Sequence, residues 1–122
     1  MSTVKVDTIK TTGNVEVYTC KAWVNFDGTT NTGGNCTIRA SGNVSSVTDN
    51  GTANYTINFT NALADANYTL TSMQGHDSAD GAARAVVYDQ DNTKTTTALQ
   101  IRTVYNWSNY YDSGEVYVAV FR

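Results

Sequence analysis

The sequence contains no proline and a single histidine. Proline is a common guard of exposed strand edges, so a β protein without it protects its edges by other means, of which self-association is one. One histidine excludes any metal site that needs two, and any nucleophile–histidine pair has to use His76. That residue sits in the polar run Gln74-Gly75-His76-Asp77-Ser78 and is expected at a surface or an interface. Strong helix formers are scarce: Leu63, Leu70 and Leu99 are the only leucines, Glu16 and Glu115 the only glutamates. Nothing approaches the roughly 18 consecutive apolar residues of a membrane-spanning helix. The opening Met1-Ser2-Thr3-Val4-Lys5-Val6-Asp7 lacks the apolar stretch of a secretion signal, so folding is expected in the cytosol of the producing cell. Charge is sparse too. The eight lysines and arginines are scattered and the formal net charge is −3, with no basic cluster to neutralise successive phosphates. Neither nucleic acid nor a membrane is an expected partner.

Two cysteines, Cys20 and Cys36, are too few for a disulfide framework. Both share the apolar phase of their segments, Cys20 with Ala22, Val24 and Phe26, and Cys36 with Ile38 and Ala40. They are expected as buried thiols acting as small hydrophobes, a disulfide between them being the alternative. Seven Asn-x-Ser/Thr triplets begin at Asn35, Asn43, Asn50, Asn54, Asn58, Asn67 and Asn106. In a chain this rich in Asn and Thr, with no secretion signal, they read as composition.

What the chain has in quantity is Thr, Asn, Ser and Gly. Branched Thr suits a pleated surface, while Asn and Gly suit turns. At 122 residues it has room for one core. Short alternating segments recur between turn signals. Val4, Val6 and Ile9 come first, then Val15 and Val17 after Thr12-Gly13-Asn14. Cys20–Phe26 follows, ending at Asp27-Gly28, and then a loop from Thr29 to Asn35. Cys36–Ala40, Val44–Val47, Tyr55–Phe59, Tyr68–Met73, Ala83–Tyr88, Thr96–Val104 and Glu115–Phe121 complete the set. Asn61–Ala66 is the one place for a short helical turn. The predicted fold is an antiparallel β-sandwich of eight or nine strands over 20–122, preceded by an extended segment, 1–19. That segment is either an edge strand of its own domain or an arm on a neighbour, and its large apolar residues Val4, Val6 and Ile9 are the candidate attachment points. Core candidates are Trp23, Val24, Phe26, Ile38, Val44, Val47, Tyr55, Ile57, Phe59, Tyr68, Leu70, Val86, Leu99, Ile101, Val118 and Val120. Those that alternation turns outward are expected at an interface.

Chemistry-bearing constellations are few. Asp89-Gln90-Asp91-Asn92 spaces oxygen ligands like a calcium loop, but Lys94 stands where the loop needs Gly and Gln100 where it needs Glu. It reads as a hairpin turn. Asp77/Asp80 and Asp89/Asp91 offer paired carboxylates, yet spacing alone does not put them across a glycosidic bond. No enzyme, metal or cofactor is expected. The richest signal is Tyr105-Asn106-Trp107-Ser108-Asn109-Tyr110-Tyr111-Asp112. Aromatic faces stack on sugars and amides pair with hydroxyls, which suits a glycan. The same residues suit a subunit interface, where Tyr and Trp supply area with few rotors to freeze. They suit a core position equally, with Trp107 filling one end of the domain.

Lys21-Ala22-Trp23-Val24-Asn25-Phe26-Asp27-Gly28, the run from Ile38 to Thr52, and Asn54–Thr60 through Ala66-Asn67-Tyr68 resemble, in that order, a domain of tail-fibre and other structural proteins of marine bacteriophages and cyanophages. Val4–Ile9 is similar to the lead-in placed before that domain, and Val118–Arg122 to its usual end. The loop from Thr29 to Asn35 is longer than the family's connection, and 74–114 matches only loosely. In the family that stretch varies, and contacts to receptor or partner are expected there. The resemblance implies a non-enzymatic structural protein of the virion, assembled in the host cytoplasm. It would be jelly-roll-like and homotrimeric, with other virion proteins and host-surface glycan as partners. Since the module fills nearly the whole chain, a capsid decoration protein or small tail component stands beside a tail fibre.

Overall fold

The computed structural model describes residues 3–75, 82–88, 93–106 and 108–122. Every second side chain is buried in Ala22-Val24-Phe26, Tyr55-Ile57-Phe59, Leu99-Ile101 and Val116-Val118-Val120, as a strand with one face on a core requires. Among the described residues nine strands result: β1 (Cys20–Thr32), β2 (Asn35–Gly42), β3 (Val44–Gly51), β4 (Asn54–Phe59), β5 (Thr69–Gln74), β6 (Arg84–Val87), β7 (Ala98–Tyr105), β8 (Asn109–Tyr110) and β9 (Val116–Phe121). All pairs are antiparallel, and no helix occurs among the described residues. The strands join one sheet in the order β5-β9-β1-β2-β3-β4-β7-β6, with β8 beside β7. Where two facing sheets were expected, this single sheet curls until it is nearly closed into a barrel, bringing its end strands β5 and β6 side by side.

The core runs through the barrel. Phe26 meets Tyr55 edge to face at 5.2 Å and Phe59 meets Tyr68 at 5.9 Å, geometries that aromatic quadrupoles favour. Ile38, Leu70 and Val86 are half-buried against this cluster, and Ala53, Leu63, Val104 and Val116 are buried beyond the expected set. Trp23 is a correction: it is 44% exposed. Its neighbours Ala22 and Val24 hold the inward phase, so the indole between them faces outward, against Gly42 of β2.

Cys20 is also a correction. Cys36 is buried but Cys20 is exposed, and both are free. The register with β9 slips between Cys20 and Ala22, which takes Cys20 out of the inward phase.

The expected turn at Asp27-Gly28 is a second kind of correction. β1 runs through it to Thr32 and turns at Gly33-Gly34, both with positive φ (61° and 89°). Gly28 is there for close approach: a Cβ on it would lie 2.5 Å from the Tyr55 hydroxyl and 2.8 Å from the Ser113 carbonyl. The residues assigned to a loop thus form the two arms of a hairpin. Asn61–Ala66 holds no helical turn. Asp65 Oδ1 accepts the Asn67 N–H at 2.8 Å, and Leu63 enters the core. Asp65 also receives a fork from Arg122 at 2.6 and 2.8 Å, fastening this loop to the end of β9. That pairing holds its carboxyl below the usual carboxylate range.

The N-terminal segment does not join the sheet. Residues 9–17 turn back on themselves, with the Val17 N–H donating to Ile9 O at 2.7 Å and Lys10 bridged to Glu16. Among the described residues the edge-strand alternative therefore fails, and Val4, Val6, Ile9, Val15 and Tyr18 stand exposed.

Burial, then the nearby charges of Asp49, Asp112 and Asp27, pushes the Cys36 thiol up to about 11. A thiol reagent at pH 8 should label one cysteine per folded chain, Cys20, and the second only after unfolding. Raised in the fold, this thiol stays neutral while the unfolded thiol ionises, so it withdraws stability as pH rises from 9 towards 11. Rapid labelling of both cysteines in the folded protein would contradict the buried placement.

Candidate functional site

The aromatic segment 105–112 lies where β7 ends and β9 has yet to begin, at the end of the barrel that also holds Gly28 of β1, Ala53 before β4 and Gln74 of β5. Sequence reasoning left it open between interface, core and glycan site. The structure divides it.

Tyr105 and Tyr111 are half-buried, and they, Asp112 and Asn106 bond or pack back onto the barrel. Asp112 Oδ1 accepts the Ala53 N–H at 2.7 Å and lies 3.0 Å from the Tyr55 hydroxyl, which is also 3.0 Å from Gly28 O. Ala53 is fully buried with φ 59°, a conformation strained for a residue with a Cβ, and the Asp112 carboxylate satisfies the amide held there. Burial, reinforced by the bond to Asp112, raises the Tyr55 hydroxyl well above the ordinary tyrosine range. The Tyr111 carbonyl accepts from buried Thr103 Oγ1 at 2.6 Å, and its hydroxyl donates to Gln74 Oε1 at 3.1 Å. Tyr105 packs on Tyr111 edge to face at 6.3 Å, and the Arg84 guanidinium lies 4.4 Å from the Tyr105 ring centre and 4.7 Å from that of Tyr111, within cation–π range. Asn106, at φ 48°, exchanges two bonds with Ala83, its N–H donating to Ala83 O at 2.8 Å and its side-chain oxygen accepting from Ala83 N at 3.2 Å.

Gln74 is central to this arrangement. Its amide nitrogen donates to Ala85 O of β6 at 2.5 Å and to Val104 O of β7 at 2.9 Å. A buried side chain thus spans the gap between the two end strands of the sheet, which form no backbone ladder among the described residues. Gln74, Arg84 and Thr103 were not among the predicted site residues. The signal available was one of position: each is a polar residue in or beside an apolar strand.

Asn106, Ser108, Asn109, Tyr110 and Asp112 are exposed. Tyr110 is 54% exposed, with the Arg102 guanidinium 5.1 Å from its ring centre, and Asn109 beside it is exposed. Trp107, His76, Asp77, Asp80, Asp89 and Asp91 lie outside the described residues. Among the described residues no group of three or more His, Cys, Asp or Glu side chains is placed to hold a metal. The virion-attachment candidates Val4, Val6 and Ile9 lie apart from this end of the barrel, in the exposed N-terminal segment.

No family model, curated protein or solved structure matches this chain.

An anchoring role for Asp112 has a measurable consequence. Asp112→Ala leaves the buried Ala53 N–H unpaired and should cost about 1–3 kcal/mol in denaturant unfolding. Asp112→Asn keeps the Oδ1 acceptor and should cost less. Equal stability of wild type and Asp112→Ala would refute the anchor.

Proposed function

We propose that this chain is a structural module of a phage particle surface, a tail-fibre or capsid-decoration component working as a homotrimer. The phage origin rests on the resemblance carried by residues 21–28, 38–52 and 54–68. The observation that supports a structural, self-associating role is the outer face of β1, β9 and β5. It leaves Trp23 44% and Met73 68% exposed, with Phe121 also open to water. Large apolar side chains grouped on one sheet face mark interaction surfaces. The all-β barrel, its lack of edge-guarding proline and its exposed N-terminal segment fit a part that gains its last contacts on assembly. The threefold arrangement and a jelly-roll kinship belong to the same proposal.

A second reading, recognition of a host-surface glycan, is favoured by the exposed Tyr110 ring beside Asn109 and Arg102. On that reading the side chains of Tyr105, Tyr111 and Asp112 hold the platform.

Antibodies raised against the purified protein should label virions of the virus that encodes it at repeated positions on tail or capsid, seen by immunogold microscopy. Unlabelled particles would overturn the structural role. Co-sedimentation with host cells separates the second reading: binding that Tyr110→Ala abolishes supports it, and binding that Tyr110→Ala leaves intact discards it.

A further inference from the structure

The sequence contains one Asn-Gly step, Asn50-Gly51. In such a step the glycine nitrogen can close on the asparagine side chain, because the following residue has no Cβ to stand in the way. The fold decides whether it does, since a backbone amide packed against neighbours is kept from its target. The hairpin of β3 and β4 leaves this step open. Asp49 pairs with Tyr55 and Gly51 with Asn54, so Asn50 is the extra residue of a bulge and lies outside the ladder. Both residues of the step are exposed. Gly51 has φ 123°, and nothing lies within 4 Å of where a Cβ would stand.

The side chains around the step are placed for the reaction. The Gly51 N–H donates to Asp49 Oδ1 at 2.9 Å, while Asp49 Oδ2 accepts from Asn31 Nδ2 at 2.9 Å, which steadies the carboxylate from its other side. An oxygen at that distance is in reach to take the proton. Asn50 Nδ2, the nitrogen that has to leave, is held by Thr56 Oγ1 at 2.7 Å and Asn54 Oδ1 at 3.3 Å. Asp27-Gly28 differs. It too sets a carbonyl-bearing side chain before a glycine, but the Gly28 N–H donates to Ser113 O at 2.8 Å and the residue is wedged against Tyr55. The Asp27 side chain is itself committed to Thr29 and Arg39. The same local chemistry is open at one step and closed at the other.

We propose that Asn50 is a site of self-modification, converted through a cyclic imide to aspartate and isoaspartate, with the Asp49 carboxylate as proton acceptor. The Gly51 nitrogen gives its proton to Asp49 Oδ1 and forms a bond to Asn50 Cγ. The Cγ–Nδ2 bond then breaks, and the departing nitrogen takes the proton back through water and leaves as ammonia. Water opens the imide at either carbonyl. Opening at the side-chain carbonyl leaves aspartate, and opening at the backbone carbonyl leaves isoaspartate, with the main chain rerouted through Cβ. Nothing is oxidised or reduced. The isoaspartate form lengthens the hairpin that carries Ala53, whose N–H is anchored by Asp112. This chemistry is independent of the virion role.

The experiment is peptide mapping by mass spectrometry of the purified full-length protein during warm incubation at neutral pH, with isoaspartyl methylation to locate rerouted bonds. The mass gain of an amide-to-acid exchange should accumulate at Asn50, with isoaspartate there, while Asp27 stays unconverted. Asn50→Gln should remove the signal. Asp49→Asn keeps an oxygen for the Gly51 N–H without the charge, and should slow conversion severalfold at unchanged circular dichroism. No mass gain at Asn50, or a gain faster in the denatured than in the native protein, would overturn the proposal. Isoaspartate forming equally at Asp27 would overturn the selection by the fold, and an undiminished rate in Asp49→Asn would overturn the role of the carboxylate.

Discussion

A curled antiparallel sheet that stops short of closing has two edges whose backbone groups need partners, and here those edges are β5 and β6. The Gln74 amide meets part of that need. It donates to carbonyls of β6 and β7, and its own oxygen is held by Tyr111. The segment between β7 and β9 is shaped by this requirement. Tyr111 must reach Gln74, Tyr105 and Arg84 stack behind it, and Asp112 ties the segment back to Ala53 and Tyr55. An aromatic-rich loop that resembles a binding site by composition therefore gives Tyr105, Tyr111 and the Asp112 carboxylate to the barrel's closure. A buried amide linking two strand edges costs heavily when one partner is lost, because the others are left dry and unpaired.

The inside of the barrel was legible in the sequence. Period-2 alternation in β1, β4, β7 and β9 identified the apolar interior, since in those strands one face meets the core and the other meets water. Boundaries were less legible. Asp27-Gly28 carries a turn signal, but the Gly is present because the Tyr55 ring needs its space, a long-range cause invisible to a local pattern. Trp23 was misplaced for a simpler reason. A large aromatic beside Val24 looks like core by type, while alternation permits only one of the two inside. Cys20 lost its inward phase to a one-residue slip against β9, and such slips leave no mark in composition. The closure itself was illegible, because Gln74, Thr103 and Arg84 gain their roles only when strands distant in sequence come together.

The functional surfaces follow from what the barrel does not use. With the side chains of Tyr105, Tyr111 and Asp112 bonded or packed onto the barrel, the outward features among the described residues include Tyr110 near one end, Trp23 and Met73 on the side, and the N-terminal segment with its unburied valines. A module with a self-contained core and apolar features left over on its exterior is suited to assembly.

The central claim is that the Gln74 side chain ties β5 to β6 and β7, and nuclear magnetic resonance of the Gln74 side-chain amide tests it most directly. The account predicts slowly exchanging Gln74 amide protons with cross-peaks to Ala85 and Val104. Amide protons that exchange as fast as those of an exposed glutamine, without those cross-peaks, would contradict it.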